Sequence, residues 1–129
     1  MIVDTSVVIE LERGTAPSEL GFRPRDEVAI AAVTEAELLV GAASAPTADE
    51  AARRLSMLVL VTQEIDVLDY TRTTASRHAE LLAFTRRVGR PRGAHDLIIA
   101  AHALETGRVV LTRDAQARFG DLPGIYLAG

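Results

Sequence analysis

Short apolar runs alternate along the chain with longer segments in which apolar residues recur every three to four positions. The longer segments have the period of helices, and the short runs, rich in valine and isoleucine, are typical of buried strands. The predicted strands are residues 1–3, 28–33, 64–68, 109–111 and 125–127. Because strand and helix patterns alternate, the sequence predicts an α/β fold with a central parallel sheet flanked by helices.

Turn and capping residues delimit the predicted helices. The first covers residues 5–12, the second covers 34–43, and Thr47 is predicted to cap a third. Asp69 is predicted to cap a long fourth helix, and residues 97–104 carry the apolar period of a fifth. No repeat, linker or low-complexity segment interrupts the pattern, so we expect residues 1–129 to form one domain.

Four acidic residues stand where strand patterns pass into helix patterns. Asp4, Glu37 and Asp114 follow three of the predicted strands, and Asp96 stands at the front of the fifth helix. Ligands of an open parallel sheet bind outside the carboxyl ends of its strands, so these acids should meet on one rim. With no cysteine in the chain, clustered carboxylates predict a site for a hard cation, Mg²⁺ or Mn²⁺.

Each of these acids, taken alone, also has a purely structural interpretation. Thr34 and Glu37 have the spacing of a capping box, in which both side chains satisfy free N–H groups at a helix start. Asp4 and Asp114 could be simple N-caps, and Asp96 could be a favourable first-turn charge. Capping does not predict acids at several strand ends on one edge, so the cluster favours a functional site.

Composition limits the classes of protein that remain. The chain has 129 residues, 48% of them hydrophobic, and no apolar stretch long enough to cross a bilayer, so we expect a cytoplasmic domain. The net charge of −4 argues against a general nucleic-acid coat protein, which would be basic. All fourteen basic residues are arginine, which matters because several acidic-site folds need a lysine.

The densest basic segment lies just before His95 and Asp96. Such a cluster can complement a helix dipole and solvate a surface, or it can contact phosphates of a substrate. Both interpretations remain open, and His95 itself is interpreted as a surface histidine that could touch substrate. The arginines of this segment are Arg86, Arg87, Arg90 and Arg92.

Four motifs together make the chain resemble a known family. They are the opening strand Ile2-Val3-Asp4-Thr5-Ser6, the segment Thr34-Glu35-Ala36-Glu37-Leu38 with Gly41, the helix start 96–103, and Leu111-Thr112-Arg113-Asp114. In order and spacing, over nearly the whole chain, they resemble PIN-domain ribonucleases of the VapC type, the toxin halves of bacterial toxin–antitoxin pairs. The last motif ends in Asp114 where many relatives have asparagine.

The resemblance implies a sheet of order 3-2-1-4-5, an RNA endonuclease dependent on Mg²⁺ or Mn²⁺, and a protein antitoxin as partner. Asp4 and Asp96 would be the principal metal ligands, and Glu37 and Asp114 would complete the acidic pocket directly or through water. The hydroxyl residues that would support this pocket are Thr112 and either Thr5 or Ser6.

Three other classes of protein share features with this chain. A response-regulator receiver domain and a haloacid-dehalogenase-type phosphatase also gather acids around Mg²⁺ at the end of a parallel sheet. Both need a lysine that this chain lacks. A catalytically inactive interaction module with the same fold stays open, although the presence of all four acids argues against it.

Apolar positions on the helices predict an assembly. We expect part of the surface of residues 5–13 and 34–60 to hold a homodimer and part to form a groove for the antitoxin. The competing interpretation is that both segments simply pack on the sheet. The apolar positions concerned are Val8, Leu11, Leu39, Leu55 and Leu58.

Overall fold

The computed structural model describes residues 1–128, in which four short strands alternate with five helices. Strand β1 (Ile2–Val3), helix α1 (Thr5–Glu12), β2 (Ala29–Ala31), α2 (Ala32–Ala43), α3 (Ala48–Glu64), β3 (Asp66–Leu68), α4 (Arg72–Arg87), α5 (Ala94–Thr106) and β4 (Val110–Leu111) follow one another. Short 3₁₀ turns lie at Pro17–Leu20, Ala115–Ala117 and Phe119–Asp121.

The sheet is parallel throughout, in the order β3-β2-β1-β4. This confirms the predicted parallel α/β fold and the first four positions of the predicted order 3-2-1-4-5. The prediction of a fifth strand at residues 125–127 is wrong. There the chain makes a single parallel bridge between Leu127 and Val110, with Val110 N–H donating to the Tyr126 carbonyl at 2.8 Å. The segment follows the left-handed turn at Gly124, and within residues 1–128 Leu127 is the residue that bridges to β4.

Two apolar clusters cover the two faces of the sheet, because successive strand residues point to opposite sides. Ile2 belongs to one cluster, which packs against α4 and α5, and Val3 belongs to the other, which packs against α1. Val110 and Leu111 divide in the same way. The result is the expected three-layer arrangement, with the carboxyl ends of the strands left as one open rim.

Two helix starts differ from prediction. Helix α2 begins at Ala32 rather than Thr34, because alanine favours the helix over the strand and extends it backwards. Thr34 and Glu37 therefore lie inside the helix, and the capping-box interpretation of this pair is wrong. Helix α4 is capped by Thr71 rather than Asp69, since Thr71 and Thr74 exchange side-chain to backbone hydrogen bonds.

The five apolar positions predicted to be exposed differ in burial. Val8 and Leu58 are 3% and 6% exposed, so the prediction is wrong for them and they belong to the core of the single chain. Leu11 is half-buried and packs against the core cluster that contains Val8. Leu39 and Leu55, on α2 and α3, are 44% and 47% exposed and remain available for assembly. No helix within residues 1–128 is long and apolar enough to cross a membrane.

Gly124 closes the turn before the bridge at Leu127, and we expect its replacement by alanine to destabilise the fold. Its φ of +76° lies in the left-handed region, and an added Cβ would lie 2.8 Å from Leu104 Cδ2. Gly14→Ala is the matched control, because Gly14 has a φ of +95° with open space around it. We expect the control to lose about 1–2 kcal/mol of unfolding free energy and Gly124→Ala to lose more. Equal losses in urea titrations would mean that Leu104 moves aside freely.

Candidate active site

Asp4 lies at the rim where β1 ends and α1 begins. It is 4% exposed, and its Oδ1 accepts the Val7 N–H at 3.4 Å as the N-cap of α1. The Ser6 hydroxyl donates to the same oxygen, and the Thr112 hydroxyl donates to Oδ2. A carboxylate has about four acceptor sites, so lone pairs remain for a further ligand. Asp4 is thus held rigidly by hydroxyl groups from α1 and from the end of β4.

The end of β4 is joined to this carboxylate by a second set of hydrogen bonds. Backbone N–H groups of Arg113 and Asp114 donate to the hydroxyls of Ser6 at 2.9 Å and Thr112 at 3.0 Å. Asp114 is exposed, and its Oδ1 accepts the Gln116 N–H at 2.9 Å. Each hydroxyl therefore accepts from the backbone and donates to Asp4, which fixes the relative position of the two strand ends.

Glu37 reaches the rim from the second turn of α2. The Thr5 hydroxyl donates to its Oε1 at 3.2 Å, and His95 Nδ1 lies 3.0 Å from the same oxygen. His95 was interpreted from sequence as a surface histidine, and its side chain is indeed 52% exposed. Its contact with Glu37 nevertheless makes it part of the site. The only sequence signal for this role was its position directly before Asp96.

Asp96 stands in the first turn of α5 and is partly buried. Burial raises the pKa of this carboxyl above its usual value, and the negative charges of Asp114, Asp4 and Glu37 raise it further, while His95 acts in the opposite direction. Gly93 lies close to this carboxyl group, since a Cβ at Gly93 would lie 3.3 Å from Asp96 Oδ2. These contributions indicate that Asp96 lies near the other three predicted acids.

The donor set suits a hard divalent cation, because carboxylate oxygens are what Mg²⁺ and Mn²⁺ prefer. Among residues 1–128, no three acidic or histidine side chains are yet close enough to hold an ion together. Mg²⁺ usually takes only one or two carboxylates directly and keeps several waters. Acids that approach one another without closing into a three-residue cluster therefore still fit this kind of ion.

The four arginines grouped by the sequence do not share one surface. Arg86 and Arg87 are exposed in the last turn of α4, and Arg90 is exposed just beyond it. Arg92 differs, because its side chain is only 5% exposed and its Nη2 lies 3.6 Å from Asp121 Oδ2. The interpretation of the whole segment as a solvated surface is therefore wrong for Arg92.

The structure is a parallel α/β domain with acidic residues near the carboxyl ends of its strands. The family model described as "PIN domain" matches residues 1–123. The chain therefore belongs to the PIN domain family.

Individual relatives in this family carry more specific names. The "tRNA(fMet)-specific endonuclease VapC" of Shigella flexneri is 32% identical over 70% of this chain and 66% of its own length. "Ribonuclease VapC5" of Mycobacterium tuberculosis is 37% identical over 88% of this chain and 82% of its own length. The crystal structure of DNA-bound VapBC from Salmonella typhimurium superposes with a TM-score of 0.81 at 26% identity, covering 98% of this chain and 94% of that one.

Proposed function

We propose that the protein is a metal-dependent RNA endonuclease, the toxin half of a VapBC-type toxin–antitoxin pair, with residues 1–129 as a single PIN domain. The observation that carries the proposal is the buried Asp4 carboxylate at the carboxyl end of β1, which the hydroxyls of Ser6 and Thr112 hold with acceptor sites left free. Burial first, and the negative charges of Asp114, Asp4 and Glu37 second, raise the pKa of Asp96 nearby. Like charges are brought together at an energetic cost, and a bound cation offsets that cost. The names of the VapC relatives support RNA as the substrate class.

Asp4 and Asp96 are the residues that we propose as direct ligands of Mg²⁺ or Mn²⁺. Asp4 is prepositioned by the hydroxyls of Ser6 and Thr112. Asp96 lies in the first turn of α5, and the charge of Asp4 is one of those that raise its pKa. When bound, the cation supplies charge neutralisation at the scissile phosphate and acidifies the attacking water.

Glu37 and Asp114 are the candidates for orienting that water. Glu37 is held by the Thr5 hydroxyl and by His95, so its free oxygen has a defined direction. Asp114 is exposed and can turn toward the rim, at the expense of its hydrogen bond from the Gln116 N–H. Either carboxylate can accept a proton from water as it attacks the phosphorus in line with the leaving oxygen.

RNA phosphates would be bound beside the acids by exposed arginines. Arg86, Arg87 and Arg90 lie on the chain segment that leads to α5 and so to Asp96. Because guanidinium groups pair with phosphates without reading the base, these residues would position RNA rather than select its sequence. The name of the Shigella relative makes initiator transfer RNA the first substrate to test.

An apolar groove is the surface that we propose for the antitoxin. It has a volume of about 260 Å³ and lies between α1, the end of α3 and the sheet. Toxin–antitoxin assemblies such as the Salmonella VapBC complex support a protein partner. Leu39 and Leu55, outside this groove, would contribute to a homodimer. The groove is lined by Val3, Val8, Leu11, Phe22, Val28, Leu60, Val61, Glu64 and Ile65.

A cleavage assay on purified, antitoxin-free protein tests the function. We expect cutting of initiator transfer RNA or another RNA with Mg²⁺ or Mn²⁺, products that carry 5′-phosphates, and complete loss of cutting in EDTA. A mock purification from cells without the gene controls for contaminating ribonuclease. Cleavage that persists in EDTA would refute metal dependence, and a protein that binds RNA but never cuts it would favour the inactive interaction module.

A further inference from the structure

Arg92 is a buried cation with an incomplete set of partners. Its side chain is 5% exposed, and within residues 1–128 neither Nε nor Nη1 has a hydrogen-bond acceptor. Nη2 lies 3.6 Å from Asp121 Oδ2, which is longer than a hydrogen bond, and the Asp121 side chain is 54% exposed. The guanidinium is therefore only loosely neutralised by an acid that stands largely in water.

An arginine side chain stays charged when it is buried, because guanidinium groups do not lose their proton at neutral pH. Burying a charge without a close partner is unfavourable, and unmet donors in the interior add to the cost. Such a group is stabilised when an anion with several acceptor oxygens comes within reach of its donors.

The space for such an anion is adjacent. A cavity of about 320 Å³ lies between the end of α4 and the start of α5, and Arg92 and the exposed Arg86 both contribute to its wall. Thr85 also lines it, with its hydroxyl proton directed to the Leu82 carbonyl, so that the oxygen keeps acceptor but not donor capacity. The only charged side chains of the wall are thus two arginines.

The cavity and the acidic rim are connected through the start of α5. Leu97, which lines the cavity, follows Asp96 in sequence, and Gly93, next to Arg92, would place a Cβ 3.3 Å from Asp96 Oδ2. A polymer with regularly spaced phosphates could place one phosphate at the rim and a nearby one here. RNA carries several regularly spaced phosphates and can occupy both positions, whereas a single acidic side chain of a protein partner can occupy only one.

We propose that the Arg92 cavity binds one backbone phosphate of the RNA substrate, close to the phosphate that is cut, and that Asp121 holds the guanidinium until RNA displaces it. The assignment rests on the proposed RNA endonuclease function and adds a defined subsite to it. The proposal gives Arg92 a different role from the exposed arginines. Arg92 has a buried guanidinium group with N–H groups that lack acceptors, whereas the exposed arginines attract RNA less specifically.

RNA binding, rather than cleavage, tests the subsite. All variants are made in the full chain on an Asp4→Asn background, and the Kd for bulk transfer RNA is measured in EDTA at several salt concentrations. We expect Arg92→Met to weaken binding about 5- to 20-fold and to reduce the slope of log Kd against log salt by about 0.7–0.9, the value for one phosphate contact. Arg92→Lys should recover binding only in part, because it keeps the charge without the fork.

Asp121→Asn should change the Kd for RNA in the opposite direction from Arg92→Met. Removing the competing carboxylate should tighten RNA binding about 2- to 5-fold, whereas a purely structural ion pair would lose stability and leave binding unchanged. Arg77→Met is the matched control, since Arg77 is an exposed arginine on α4, the helix whose end borders the cavity, and it is paired with Glu80. It should leave the Kd within twofold of the background protein.

The outcomes separate this subsite from the proposed function. If the background protein binds RNA and Arg92→Met binds it equally well, with the same salt slope, the subsite is refuted and the endonuclease proposal stands. Lower melting temperatures for Arg92→Met and Asp121→Asn without any change in Kd would assign the pair to the scaffold. If the background protein binds no RNA while the wild type cuts RNA with Mg²⁺, the subsite alone is refuted. If the wild type neither binds nor cuts RNA, both proposals are overturned.

Discussion

Asp4→Asn and Asp96→Asn should each abolish RNA cleavage, with kcat lowered by about 10²–10³-fold or more. Both substitutions keep the size of the side chain and remove the charge that attracts a divalent cation. Asparagine is as good an N-cap as aspartate, so Asp4→Asn leaves the start of α1 capped through its amide oxygen. The loss should therefore appear in activity while circular dichroism remains that of the wild type.

Asp49→Asn is the matched control for these variants. Asp49 is an exposed acid in the first turn of α3, so its substitution removes one negative charge from a helix start away from the rim. We expect it to keep wild-type cleavage rates under the same conditions. Full activity of either Asp4→Asn or Asp96→Asn on the same RNA would show that the proposed ligand assignment is wrong.

The sequence was sufficient to predict the layers of the fold and the place of the rim. Runs of β-branched residues are short and unambiguous here, and an acid within three residues after such a run lies near the carboxyl end of a strand. The predictions for Asp4 and Asp114 needed only this local rule. For Asp96 the helix period sufficed, because Leu97 and the residues after it define the face that α5 buries.

What the sequence could not predict depends on competition between neighbouring signals or on contacts across the chain. Ala32 directly follows β2 and could continue the strand or begin the helix, and it begins α2 because alanine favours the helix over the strand. The contact of His95 with Glu37 joins residues 58 positions apart, and no local pattern reports such a distance. The sequence predicts Arg92 as one member of a basic segment, and only the packing between α4 and α5 shows that its side chain is buried.

Asp96→Asn should also make the metal-free protein more stable to heat, even though it removes activity. The pKa of Asp96 is raised in the folded state, so the folded protein holds this proton more tightly than the unfolded chain does. Stability is therefore lowered as pH rises from the ordinary carboxyl pKa through the raised value, and the penalty persists at neutral pH. Asparagine carries no charge and escapes the penalty.

Because Asp96 is only partly buried, solvent screens part of the repulsion from Asp4, Glu37 and Asp114. We expect a rise in melting temperature of roughly 1–4 °C for Asp96→Asn in EDTA near pH 7. At a pH below the ordinary carboxyl value, where both folded and unfolded forms are protonated, the two proteins should converge.

Adding Mg²⁺ should reverse the order of the two melting temperatures, so that the wild type melts above Asp96→Asn. A cation that binds only the folded state raises the melting temperature in proportion to its affinity, so the wild type should gain more than Asp96→Asn. If Asp96 were only a favourable first-turn charge, its loss would destabilise the fold by a few tenths to ~1 kcal/mol and leave the response to metal unchanged. Thermal melts of both proteins with EDTA and with Mg²⁺ separate the two cases by sign. A lower melting point for the variant in EDTA, with an undiminished shift on adding Mg²⁺, would assign Asp96 to the scaffold.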